Sequence, residues 1–290
     1  MDVRRKFEIQ IHQKQTHKFK YKYKIMNLTE KDRQELLKAM LLLENPGIAA
    51  KITNLIGTPI EKGIAMLPES WNEKIGEVTQ TALLKAADAA IFTMKDNPKE
   101  ESSNWWHKIG VAVTGGVGGF FGLPALVIEL PVSTTIMLRS IADIARAEGE
   151  SINDPRTKLA CLEVFALGGK SKSDNATESG YFVVRAALAK SVTEAVEFIA
   201  TKTLAEEGAP ALIRFIVKIA ERFSIQVTEK VAAQAIPAIG AAGGALVNTI
   251  FIDHFQDMAK GHFIVRRLEK IYGKEIVKTT YEEMLKVEMA

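Results

Sequence analysis

Ile109–Ile128 reads IGVAVTGGVGGFFGLPALVI and Val231–Ile252 reads VAAQAIPAIGAAGGALVNTIFI, twenty and twenty-two residues without a charge. The first run carries six glycines (110, 115, 116, 118, 119 and 122), and the second carries Gly240, Gly243 and Gly244. Small residues recur at i, i+4 as Gly115/Gly119, Gly118/Gly122 and Gly240/Gly244, a spacing that lets helix backbones approach closely. Each run also reaches the roughly 20 residues a helix needs to cross a hydrocarbon core. Trp105-Trp106-His107-Lys108 stands just ahead of the first run, where an interfacial belt would place aromatic and basic side chains. Against a span, Gly and Ala add little hydrophobicity. Pro124 and Pro131 should break the helix in or after the first run, and Pro237 sits inside the second beside Gln234 and Asn248. A tight helical pair, buried by amphipathic helices and packed through its own glycines, is the reading adopted. A membrane-inserting or amphitropic pair and a pair of constitutive spans are the alternatives.

Outward from these runs the chain reads as helix after helix. Thr29 can cap a helix from Glu30 to about Leu43, with Leu36, Leu37, Met40 and Leu43 on one face. Pro46-Gly47 breaks it, 48–66 is interrupted at Gly57–Pro59, and 72–94 repeats apolar residues at helical spacing. Asp154-Pro155 is a cap followed by a first-turn proline, and that helix should stop at Gly168-Gly169. Further helices are expected over about 180–205, over 211–223, after a cap at Thr228, up to Gly273, and over 275–287. No stretch alternates at period two. The expected class is all-α, one multi-helix domain around two glycine/alanine-rich central segments.

The 290 residues can bury a full core, and 47% hydrophobic with 25% charged residues exclude disorder as the main state. One cysteine, Cys161, excludes an intrachain disulfide and suits a reducing compartment. The net charge of +3 is uneven: residues 1–24 hold eight Lys/Arg against Asp2 and Glu8, which leaves the remainder at −3. The arm has no apolar export core. It reads as a solvated extension, 1–25, dispensable for folding, ahead of a domain over 26–290 in which Met26 would be the start.

Several stretches look alike to one known family. Gly119–Glu150 (GFFGLPALVIELPVSTTIMLRSIADIARAEGE), Leu159–Gly169 (LACLEVFALGG), Gly180–Ala189 (GYFVVRAALA) and the tail of Val231–Gly273 (IDHFQDMAKGHFIVRRLEKIYG) resemble the EcsC protein family. The resemblance spans about 29–285 and leaves out 1–25. It implies a bacterial protein whose namesake is encoded beside an ABC transporter, with no established activity.

Chemistry is sparsely signalled. The glycines of 115–122 fail as a phosphate cradle: Phe121 stands where G-x-G-x-x-G needs its third glycine, and no Gly-Lys-Ser/Thr follows. No nucleotide, no nucleic acid and no cofactor is expected, nor a metal, since no His/Cys set has ligand spacing. Cys161 reads as a small buried hydrophobe. Asp253, His254, Asp257 and His262 share one helical stretch, but the two histidines stand about 12 Å apart along a helix, too far to clasp one ion unaided. Glu129 separates the first run from nine further uncharged residues, so it should be paired. Arg139, His254, His262, Arg266 and Arg267 are its candidate partners, with His262 or Arg266 preferred. An i, i+4 pair of Arg139 with Asp143 is also expected.

Two functions are compatible with these residues. The first is a non-enzymatic accessory factor, cytoplasmic and peripheral at the inner face of the membrane, with a membrane surface or ABC-transporter components as partners. The alternative is a hydrolase-like or metal-dependent enzyme whose candidate catalytic residues are Glu129, Asp253, His254, His262 and Arg266.

Overall fold

Thr29 caps the first helix as its sequence suggests, its hydroxyl accepting from the Asp32 N–H at 3.1 Å. The structure, a computed structural model, describes residues 28–44, 47–57, 59–93, 123–169, 180–201, 210–236 and 240–288. These form α1 (Glu30–Leu43), α2 (Ile48–Ile56), α3 (Ile60–Met66), α4 (Trp71–Thr93), α5 (Leu123–Ala147) and α6 (Pro155–Glu163). A 3-10 turn (Val164–Ala166) precedes α7 (Gly180–Thr201), α8 (Pro210–Ala235), α9 (Gly240–Tyr272) and α10 (Lys274–Glu288). No strand occurs among the described residues, so the all-α class holds. The arm 1–25 and most of the first uncharged run lie outside them.

The stops follow local chemistry. Gly57, Gly168 and Gly273 adopt φ of 65°, 74° and 92°, values that favour glycine, just after α2, the 3-10 turn and α9. Asp154 caps α6 by accepting from the Arg156 N–H at 2.9 Å, with Pro155 as its first residue. Two expectations fail for reasons equally local. Thr228 does not start a helix: α8 runs unbroken from Pro210 to Ala235, and the Thr228 hydroxyl donates back to the Ser224 carbonyl at 2.8 Å. Pro131 does not break α5 either. The carbonyl it leaves without an N–H belongs to Val127, on the exposed face of the helix, where water can satisfy it.

The core lies where α8 and α9 meet the 3-10 turn. Phe165, Phe223, Phe251 and Phe255 meet tilted or edge to face, with centroids 4.9 to 6.0 Å apart. Around them α9 packs on α1, α2, α5 and α10, while α8 packs on α2, α3, α4 and α7. Close approaches to a glycine occur on α9 and α3, while the glycines of the first uncharged run lie outside the described residues. Gly261 of α9 sits against α1, where an added Cβ would come within 2.6 Å of Leu43 Cγ. Gly63 of α3 lies against α8, and a Cβ there would collide with the Ala232 carbonyl. Gly63→Ala is therefore expected to destabilise by about 1–3 kcal/mol through overpacking against backbone. A urea midpoint equal to the parent's would show that α3 does not seat on α8.

The molecule is polarised along its long helices. α5 and α9 run side by side in the same direction, linked by Gln256 donating to Ser140 (3.2 Å), then Arg266 to Glu150 (3.1 Å) and Arg267 to Glu148 (2.8 Å). Their C-terminal ends thus carry a dense set of ion pairs. Their N-terminal ends carry the described parts of the uncharged runs. The second run is divided between two helices: its described residues cover the last turn of α8, which ends at Ala235, and the first three turns of α9, which begins at Gly240. Gln234 of α8 faces Asn248 of α9 at 3.5 Å, so the two halves fold back on each other.

Candidate functional site

Glu129 is paired, and with a lysine rather than with either preferred partner. Its Oε1 accepts from Lys230 Nζ at 2.6 Å, the lysine 2% and the glutamate 23% exposed. The Lys230 ammonium also lies 5.0 Å from the centroid of the Phe251 ring. Lys230 is the last charge before the second run, so the end of one run meets the beginning of the other. Arg266 instead belongs to Glu150, Arg267 to Glu148, and His262 to Tyr181. Asp143 pairs with Arg146, and Asp257 with Lys51 at 3.6 Å. Asp253 is exposed. Glu129, His254 and His262 therefore do not form one constellation.

A polar network does exist, around His262 on α9. Arg185 of α7 grips Glu269 in a bidentate pair (2.7 and 2.9 Å) and donates to the Tyr181 hydroxyl at 3.2 Å. With Arg185 donating to it, the Tyr181 hydroxyl directs its own proton to His262 Nδ1, 3.1 Å away. That assigns His262 to the neutral Nε2–H tautomer, with Nε2 3.9 Å from Glu163 Oε2 on α6. Burial, reinforced by Arg185 and Arg266, holds the His262 pKa well below that of a free imidazole. Burial raises Glu163, and Arg185 and Arg266 only partly oppose it. A histidine held toward its neutral form, a carboxyl pushed toward its protonated form and one closed ion pair lower the charge of the network, which lowers the cost of burying it.

Beside it, Glu150 receives Thr157, Arg266 and Lys270 at 2.8 to 3.1 Å. Burial works against its ionisation, but Lys270 and Arg266 prevail and lower its pKa. Cys161 is buried and its thiol is pushed up to about 12 by that burial, so it is no thiolate nucleophile. His254 is fully buried against Gly168 and Met258; burial and then Lys51 bring it down to about 3, opposed by the Leu167 carbonyl. Among the described residues no three His, Cys, Asp or Glu side chains come together as metal ligands do. The network ties α6, α7 and α9 together, and His254 and His262 are both 0% exposed.

Glu163, Tyr181, Arg185, Lys230 and Glu269 were not singled out from the sequence. A signal existed for two of them. Glu163 is the lone charge in LACLEVFALGG, and Tyr181 with Arg185 stand at i, i+4 in GYFVVRAALA. The four stretches that carry the family resemblance converge on this network, contributing Glu150, Glu163, Tyr181 with Arg185, and His262 with Arg266 and Glu269. Neither a curated protein nor a solved structure matches the chain. A family model, described as the EcsC protein family, matches residues 9–268. The match begins inside the basic arm, so residues 9–25 are part of it, and it ends before α10.

Proposed function

The chain belongs to the EcsC protein family, and from that premise we propose a non-enzymatic accessory factor that attaches peripherally to the cytoplasmic face of a membrane by its uncharged end. One observation carries the reading. The solvent face of the first turns of α5 is Pro124, Val127, Ile128, Pro131, Val132 and Thr135, without a charge, and Val127, Ile128 and Val132 are 52%, 73% and 50% exposed. Leu246 on α9, and Ile64 with Met66 on α3, are exposed on the helices gathered at the same end. Exposed apolar side chains gathered at one end in this way favour an attachment site there. They continue the uncharged run that leads into α5. The namesake's place beside an ABC transporter makes a transporter's membrane subunit the protein partner to try first.

Flotation with lipid vesicles tests the reading. The full chain should float with them, and Val127→Glu with Val132→Glu should leave it in the dense fraction with an unchanged urea midpoint. A chain that floats with no vesicle of any composition would refute membrane attachment.

A further inference from the structure

Resting on that membrane reading, we infer that the partner of the uncharged end is the acyl region of a single leaflet of uncharged lipid, entered without anionic headgroups and without spanning the bilayer. α5 is by length and composition capable of crossing, an 18-residue window within Pro124–Ala147 having a mean hydropathy of 1.5. The fold forbids it: half of that window is buried against other helices, and Glu129 is fastened to Lys230 of α8. Counting from this pair outward, Leu123 and Ile236 each lie about 9 Å beyond it along their helices, and Gly240 about 16 Å beyond Phe251. These depths match a helix seated at the headgroup–acyl boundary, about 5–10 Å deep, or at most one leaflet, and fall short of the ~30 Å core.

Two further features fit acyl chains. Three polar contacts at this end are made within the protein: Gln234 donates to Asn248, Thr249 to the Ala245 carbonyl and Thr135 to the Pro131 carbonyl. Desolvating these side chains therefore costs less, while the Val127 carbonyl that Pro131 leaves without an N–H keeps its turn at headgroup level, where water reaches it. The exposed charges on α3 are Glu61 and Lys62, which cancel, so no basic rim is offered to an anionic surface there.

The experiment compares phosphatidylcholine vesicles with vesicles containing phosphatidylglycerol, each at low and at 1 M salt, for the full chain. A second arm places an environment-sensitive fluorophore on Ile128→Cys, native Cys161 being buried, and quenches it with lipids brominated at graded depths. Expected are salt-resistant binding to phosphatidylcholine alone, quenching strongest from shallow bromines, and about a tenfold loss of partitioning for Ile128→Glu. Binding that needs phosphatidylglycerol or is released by salt would overturn this inference and leave membrane attachment standing. Quenching strongest from bromines at the bilayer centre would overturn it likewise. No binding to either vesicle would sink both.

Discussion

Glu129→Gln is expected to destabilise the fold by about 2–4 kcal/mol, measured by urea unfolding near neutral pH. The reason is the partner. Lys230 is 2% exposed, and without the carboxylate its ammonium stays buried against Phe251 with only an amide oxygen to accept from it. Removing one member of a buried pair typically costs about 3–5 kcal/mol, and the partial exposure of Glu129 places this case toward the lower end. Lys230→Met should cost less, about 1 kcal/mol, because the glutamate left behind reaches water. The double substitution should fall well short of the sum of the two, the signature of direct coupling. Equal costs for both single variants, with full additivity, would show that the pair does not form.

Stability should also fall on acidification from about pH 6.5, well above the range where carboxylates usually unfold a protein. His254 and His262 both have folded pKa values below the ordinary 6.5, from burial first and then from nearby cations: Lys51 for His254, Arg185 and Arg266 for His262. The unfolded chain therefore takes up protons first. Each histidine's contribution is complete above pH 6.5 and is lost as pH falls toward its folded value, about 3 for His254, by up to ~1.4 kcal/mol per pH unit. Glu163 acts in the opposite sense: raised above 4.5 by burial, it contributes stability present below 4.5 and lost as pH rises through its folded value, so it blunts the slope. Glu150, with its lowered value, adds a further loss below 4.5. Urea midpoints between pH 7.5 and 5 should decline, and His254→Leu should flatten the decline by one histidine's share. Midpoints constant over that interval would show that both imidazoles can be protonated in the folded chain.

The polar network was hard to read from sequence for a definite reason. An isolated buried charge announces itself when its neighbours in the chain are all apolar, which is why Glu129 stood out between two uncharged stretches. His262, Arg266 and Glu269 share a stretch with Arg267 and Lys270, where charge looks like an ordinary solvated helix face. Only the seating of α6 and α7 against α9 distinguishes the side chains held inside from those left in water. The expected pairing of Glu129 erred in the same way. It assumed that the two runs end at the same level, whereas the second run doubles back between α8 and α9 and brings Lys230, at its beginning, to the end of the first.

The sequence by itself determined what is settled within a turn or two of chain: the Thr29 and Asp154 caps, the stops at Gly57, Gly168 and Gly273, the all-α class, and the need of Glu129 for a cation. Those features depend on backbone dihedrals, orphan amide groups and local burial, all of which the neighbouring residues dictate. The tertiary structure alone decided which cation that is, across 101 residues, and which face of α5 is left uncovered. Both follow from the relative axial position of helices far apart in sequence, and that position is set by the summed packing of many side chains, which no single stretch contains.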